Sequence, residues 1–214
     1  MTTAVVFDMD GVLIDSEQVW DDVREQLARE RGGRWHENAQ RDMMGMSSRE
    51  WSRYMHDRIG LPESPDEINR LVVERMLERY TDGPPWLPGA VETVHRLAAS
   101  FTLGLASSSN REVIDRVLDA GGIAGCFRAT VSSEEVAAGK PAPDVYLEAA
   151  RRLGVEPAAC TAVEDSHNGI RSAKAAGMRC VAIPNRHFPP GDAVAEADAV
   201  VSSLEELTPD ALVG

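Results

Sequence analysis

Apolar residues along the 214-residue chain fall into two kinds of pattern, and the boundary between them predicts the architecture. Ala4-Val5-Val6-Phe7 is a short continuous apolar run, the form of a strand buried on both faces. From Gly89 onward such runs alternate with stretches of helical period. Thr102 to Ala106 precedes a helix over 111–120, Ala129 to Val131 precedes one over 143–153, Thr161 to Val163 precedes one over 168–176, and Cys180 to Ile183 follows. Ala199 to Val201, followed by Ser202 to Glu206, adds one more strand and the start of a helix. Alternation of this kind specifies a parallel sheet with helices on both faces.

Between residues 16 and 81 the pattern is helical only: 17–31, 48–59 and 65–80 carry apolar residues at helical spacing amid many charges. Thr81-Asp82-Gly83-Pro84-Pro85 then breaks the chain. The reading is an α/β protein with a Rossmann-like parallel-sheet core over 1–15 and 82–214, covered on both faces by helices. Residues 16–81 form an α-helical cap inserted after the first strand.

Composition removes several function classes. A hydrophobic fraction of 43% and a charged fraction of 27% are those of a folded globular chain, and the net charge of −13 disfavours a nucleic-acid surface or an anionic membrane as partner. A phosphorylated ligand would therefore need a local positive site. Cys126, Cys160 and Cys180 form no C-x-x-C pair, so the expected setting is reduced and cytoplasmic, with each thiol filling core volume. No secretion signal is expected, because Asp8 and Asp10 interrupt the first apolar run, and no apolar stretch approaches membrane-spanning length.

The chemistry sits where strands end, which is where open α/β sheets bind ligands. Asp8 and Asp10 follow the first strand two residues apart, so both carboxylates can face one point as the strand frays. Clustered carboxylates repel unless a cation lies between them, and Mg²⁺ prefers such hard oxygen ligands. Taken alone, Asp-x-Asp-Gly is equally well a solvated acidic turn. The other strand ends carry Ser107-Ser108-Ser109-Asn110, Gly139-Lys140-Pro141 and Glu164-Asp165-Ser166. Hydroxyls and free N–H groups at a helix start suit a phosphate, Lys140 can neutralise one of its charges, and Asp165 can complete an oxygen shell for Mg²⁺.

Four ordered motifs carry a family resemblance. They are Asp8-x-Asp10-Gly11-Val12-Leu13-x-Asp15-Ser16, Ser107 after its strand, Lys140-Pro141-x-Pro143-Asp144, and Val163-Glu164-Asp165-Ser166-x-x-Gly169. The chain resembles, over essentially its whole length, the haloacid dehalogenase superfamily, within the phosphatase and β-phosphoglucomutase-like group whose helical cap is inserted after the first strand. The resemblance implies that Asp8 is the nucleophile, forming an aspartyl phosphate, and that Asp10 is the general acid and base. It further implies Mg²⁺ held by Asp8, the Asp10 carbonyl and Asp165, with Glu164 as a direct or outer-shell ligand, and a phosphoryl group held by Ser107, Ser108 and Lys140. The implied partner is a small phosphorylated metabolite, with the chain as a monomer or small homo-oligomer.

Other residues have structural readings. Asp15 lies where core leads into cap and reads as a hinge contact or helix cap. His167 has no second histidine at ligand spacing, and His36, His56, His95 and His187 are scattered. Ser47-x-x-Glu50 reads as a capping box, while the resemblance adds Arg49 as a cleft residue that contacts substrate. Trp20 and Trp51 are cap core or cleft walls. The expected activity is Mg²⁺-dependent phosphomonoester hydrolysis. A sugar phosphomutase is the alternative within the same group, and its members carry a histidine where Trp20 stands here. A dehalogenase has no use for Asp10 or Mg²⁺, and a non-enzymatic binding protein would not keep every core position.

Overall fold

The computed structural model describes residues 2–185 and 189–213; His187 lies outside them. The core is one six-stranded parallel sheet, built from β1 (Ala4–Phe7), β2 (Thr102–Ser107), β3 (Phe127–Ser132), β4 (Cys160–Glu164), β5 (Arg179–Ala182) and β6 (Ala199–Val200) in the order β3-β2-β1-β4-β5-β6. The chain order reverses at β1, which pairs with β2 on one side and β4 on the other, Phe7 lying level with Leu105 and with Val163. Such a reversal point is where a doubly wound sheet opens a crevice at its carboxyl edge. Side chains alternate across β1 as the period of two requires. Val5 and Phe7 enter one packed layer, while Ala4 and Val6 enter the other with Tyr146 and Ile170.

Between β1 and the rest of the sheet the described residues are helical: α1 (Glu17–Glu30), α2 (Ala39–Met43), α3 (Ser48–Tyr54) and α4 (Pro65–Arg79). The helix expected over 48–59 is α-helical only to Tyr54. It then widens into a π turn at Met55–Ile59 that stops at Gly60, whose φ of 85° suits a residue with no Cβ. Ser47 and Glu50 form the expected capping box. Three helices lie outside the expected set: the five-residue α2, the terminal α9 (Pro209–Val213), and α5 (Ala90–Ala98), although Ala90, Val94 and Leu97 of α5 stand at helical spacing and are buried on one face. The expected α6 (Arg111–Ala120), α7 (Asp144–Leu153) and α8 (His167–Ala175) flank the sheet, whereas Ser202 to Glu206 yields only a 3₁₀ turn at Leu204–Glu206.

A shared carboxylate seats the helical insertion over the carboxyl edge. Glu134 accepts hydrogen bonds from Ser48 Oγ of α3 at 3.2 Å and from Asn110 Nδ2 at 2.7 Å, and the same amide donates to Asn69 Oδ1 of α4 at 3.0 Å. No helix among the described residues is long and apolar enough to cross a membrane.

Candidate active site

Continuity of β1 beyond Phe7 places the first carboxylate. The Asp8 N–H donates to Val163 O at 3.0 Å, so the backbone of Asp8 is still paired with β4 at the carboxyl edge of the sheet. Gly11, at φ 76°, turns the chain directly afterwards, and a Cβ there would stand 1.9 Å from Asp165 Oδ2. Gly11 therefore serves two ends: the left-handed turn and the close approach of the second loop. Gly169 plays a similar part at the start of α8, where a Cβ would lie 1.9 Å from Glu164 Oε1.

Asp8, Glu164 and Asp165 are buried, and one ligand oxygen from each falls within 4.8 Å of the others. Lys140, 4% exposed, reaches into this group with Nζ 3.0 Å from Asp8 Oδ1 and 2.6 Å from Glu164 Oε1. Burial works against the lysine's charge, but Asp8 and Glu164 outweigh it and hold the ammonium well above its usual range. The carboxylates shift upward: burial first, then repulsion from neighbouring carboxylates, pushes up Asp8 despite Lys140 and Asp165 despite its hydrogen bond from Asn185. Three carboxylates against one ammonium leave two negative charges in a buried site, and Asp8 Oδ1 accepts no well-directed hydrogen bond. An all-oxygen, electron-rich cluster of this kind fits a hard divalent cation.

The members differ in how free they are to ligate one. Glu164 is saturated. Its Oε1 accepts from Lys140 and, at 2.7 Å, from the Tyr146 hydroxyl, while Oε2 accepts from the Asp165 and Ser166 N–H groups and from Ser166 Oγ. Of the two roles open to Glu164, this arrangement suits the outer-shell one. Asp165 Oδ2 accepts one bond, from Asn185 Nδ2 at 3.2 Å.

Asp10 faces the cleft from the opposite side of the loop. Its Oδ1 accepts from Ser16 Oγ and, at 3.1 Å, from the Trp20 indole Nε1; its Oδ2 accepts from Ser109 Oγ at 2.7 Å and Ser107 Oγ at 3.3 Å. Ser107 is fully buried and also accepts the Ser109 N–H, so its hydroxyl serves Asp10 rather than opening to the cleft. Ser108 and Ser109 do line the cleft, and Ser108 Oγ is buried without a partner. Ser16, a residue of the motif, and Ser109, one of a serine cluster, gained no assigned role from sequence.

The helical insertion supplies the far wall. Trp20 and Trp51 line the cleft as cleft walls. Arg49 is exposed and is absent from that wall, so the expectation that it points into the cleft is not met in this structure. The cation there is Arg24, buried, with its guanidinium 4.9 Å from the Trp20 ring and 4.8 Å from the Trp51 ring. Glu17 lines the same cleft, its carboxyl pushed up to about 7 by burial and by the neighbouring charge of Asp10. Glu17, Trp20 and Arg24 stand at i, i+3 and i+7 of α1, one stripe of a helix, and a charged residue at each end of such a stripe was the available sequence signal.

Comparison with known proteins agrees with this geometry. The chain is 36% identical to hexitol phosphatase B of Escherichia coli (strain K12), covering 99% of this chain and 96% of that protein. It is 31% identical to CbbY of Rhodobacter capsulatus over 98% and 96%. The solved structure of CbbY from Rhodobacter sphaeroides in complex with xylulose-(1,5)bisphosphate superposes with a TM-score of 0.86 at 27% identity, covering 99% of both chains. The family model for haloacid dehalogenase-like hydrolases matches residues 2–177, which hold Asp8, Asp10, Lys140 and Asp165 on their strand ends, and the chain belongs to that family.

Proposed function

We propose that this chain is a Mg²⁺-dependent phosphatase that hydrolyses a small phosphorylated sugar or polyol through an aspartyl phosphate on Asp8. The observation that carries this reading is the buried group of Asp8, Glu164 and Asp165 around Lys140, with Asp10 beside it in the same cleft. Phosphoryl transfer asks a protein mainly to position groups in line and to surround the equatorial oxygens with positive charge. The relatives named as a hexitol phosphatase and the neighbour bound to a sugar bisphosphate support the substrate class.

Bound beside Asp8 and Asp165, with the Asp10 carbonyl, Mg²⁺ would supply charge neutralisation for the transferring phosphoryl group. The protein's own residues do the rest. Lys140 and Glu164 form a fixed buried pair that holds the ammonium next to Asp8 Oδ1, where the phosphoryl charge gathers. Ser108, with its unpartnered hydroxyl, is placed to hold the phosphoryl oxygens. Asp10 carries the proton, and its partners select the oxygen. The Trp20 indole can only donate, so it keeps Oδ1 an acceptor, whereas the Ser107 and Ser109 hydroxyls at Oδ2 can rotate to accept. Oδ2 is therefore the oxygen that protonates the leaving group and later deprotonates water.

Hydrolysis is favoured over phosphomutase chemistry because Trp20 occupies the place of the mutase histidine and its ring is committed to Asp10 and Arg24. The test is phosphate release over a panel of hexitol, hexose and pentose phosphates, with and without chelator. Metal-dependent release from at least one polyol or sugar phosphate is expected, and no release from any of them, or full rates in chelator, would overturn the proposal.

A further inference from the structure

Arg24 has the burial of a core residue and none of a core residue's partners. Its guanidinium makes no hydrogen bond or ion pair with any described residue, and Nε is buried without an acceptor. An orphaned buried charge of this kind is destabilising unless something else satisfies it. The tryptophan rings, 4.9 and 4.8 Å from the guanidinium carbon and 6.2 Å from each other, flank the cation on one side and offer its N–H groups no acceptor, so those N–H groups are free to donate to a ligand. Glu17, two turns earlier on the same stripe of α1, likewise lines the cleft with a carboxylate that accepts no hydrogen bond from a described residue. Asp21 and Asp10 are the other carboxylates whose charge acts on Arg24.

We propose that Glu17 and Arg24 form the specificity subsite, reading the hydroxyl groups of an uncharged polyol or sugar chain that extends from the transferring phosphate. This rests on the phosphatase reading above and names what the cap selects. A donor fork and an acceptor carboxylate side by side match vicinal hydroxyls, each of which donates and accepts. A second phosphate would find Arg24 already offset by Glu17 and Asp10, and would add charge to a cleft rich in carboxylates. Met43, Met44 and Met46 provide an adaptable apolar surface for the C–H side of such a chain.

The experiment compares wild type, Arg24→Ala and Glu17→Gln on sorbitol 6-phosphate, xylulose 1,5-bisphosphate and p-nitrophenyl phosphate, by kcat and KM, with circular dichroism to establish folding. Wild type should prefer the hexitol phosphate to the bisphosphate. Each variant should lose about tenfold or more of kcat/KM on the hexitol phosphate beyond its loss on the aryl phosphate, as expected for one lost hydrogen bond to a charged group, with most of the change in KM. Glu17→Gln preserves shape, so it decides the matter if Arg24→Ala does not fold. Equal losses on both monoesters, or a wild type that prefers the bisphosphate, would overturn the subsite while leaving the phosphatase intact. A wild type inactive on all three would instead overturn the phosphatase reading on which the subsite rests.

Discussion

Replacing Lys140 by Met keeps the stem of the side chain and removes the only ammonium from a buried group of three carboxylates. In the native protein Nζ lies 3.0 Å from Asp8 Oδ1, 2.6 Å from Glu164 Oε1, and 5.1 Å from the Tyr146 ring centroid, with lysine and both carboxylates almost wholly buried. Breaking a buried ion pair from one side leaves an uncompensated charge and costs about 3–5 kcal/mol. For a chain of this length each kcal/mol shifts Tm by about 2–4 °C, so a fall on the order of 6–20 °C is expected in chelator. The carboxylates answer by taking up protons, so the deficit should shrink as pH falls. Divalent metal should recover part of the loss, because it binds the folded cluster and not the unfolded chain. Urea denaturation of Lys140→Met and wild type, in chelator and in Mg²⁺, measures all three effects. A deficit below about 1 kcal/mol in chelator, the level of an exposed ion pair, would refute the view that Lys140 compensates a buried acidic cluster.

Three further outcomes follow from particular contacts. Trp20→Phe keeps the ring but removes the donor 3.1 Å from Asp10 Oδ1. Since a hydrogen bond to a charged group contributes about 1.5–3 kcal/mol, kcat should fall by about one to two powers of ten with KM less affected, and an unchanged kcat would remove the indole from Asp10's control. Gly11→Ala meets both a φ of 76° and a Cβ placed 1.9 Å from Asp165 Oδ2, so the variant should lose stability and require far more Mg²⁺ for half-maximal rate; wild-type metal dependence would contradict the close approach. Although burial favours its neutral form, Glu135 is held down at about 2 by Arg111, the Ser132 N–H and Arg152. A depressed carboxyl stabilises above its unfolded pKa and loses that contribution as pH falls, so the stability gap between wild type and Glu135→Gln should be steady above about pH 5 and close between about 4.5 and 2. A pH-independent gap would show that packing, not charge, accounts for it.

The sheet was legible because its strands are short apolar runs bounded by turn residues, and the carboxyl-edge rule then placed Asp8, Ser107, Lys140 and Asp165 together without any coordinates. What escaped was local or long-range. The π turn after Tyr54 has no pattern distinct from an α-helix until Gly60 ends it, and the five residues of α2 span too few turns to display a period. The place of Ser107 after β2 and the family resemblance point to a phosphate ligand, but only the three-dimensional neighbourhood reveals that Asp10 takes its hydroxyl. Arg49 and Arg24 exchange places for the same reason. Only the family resemblance singles out Arg49, whereas Arg24 gains its position from two tryptophans on different helices, Trp20 on α1 and Trp51 on α3, that meet only in the fold.

The central claim is that Asp8 attacks phosphorus, and the most direct measurement is phosphate release by purified Asp8→Asn, under the conditions in which wild type turns over, with circular dichroism confirming an intact fold. Asparagine conserves the size of the side chain and removes the nucleophilic carboxylate, so the account predicts Mg²⁺-dependent release by wild type and none above the enzyme-free rate by the variant. Folded Asp8→Asn that still releases phosphate catalytically would contradict it.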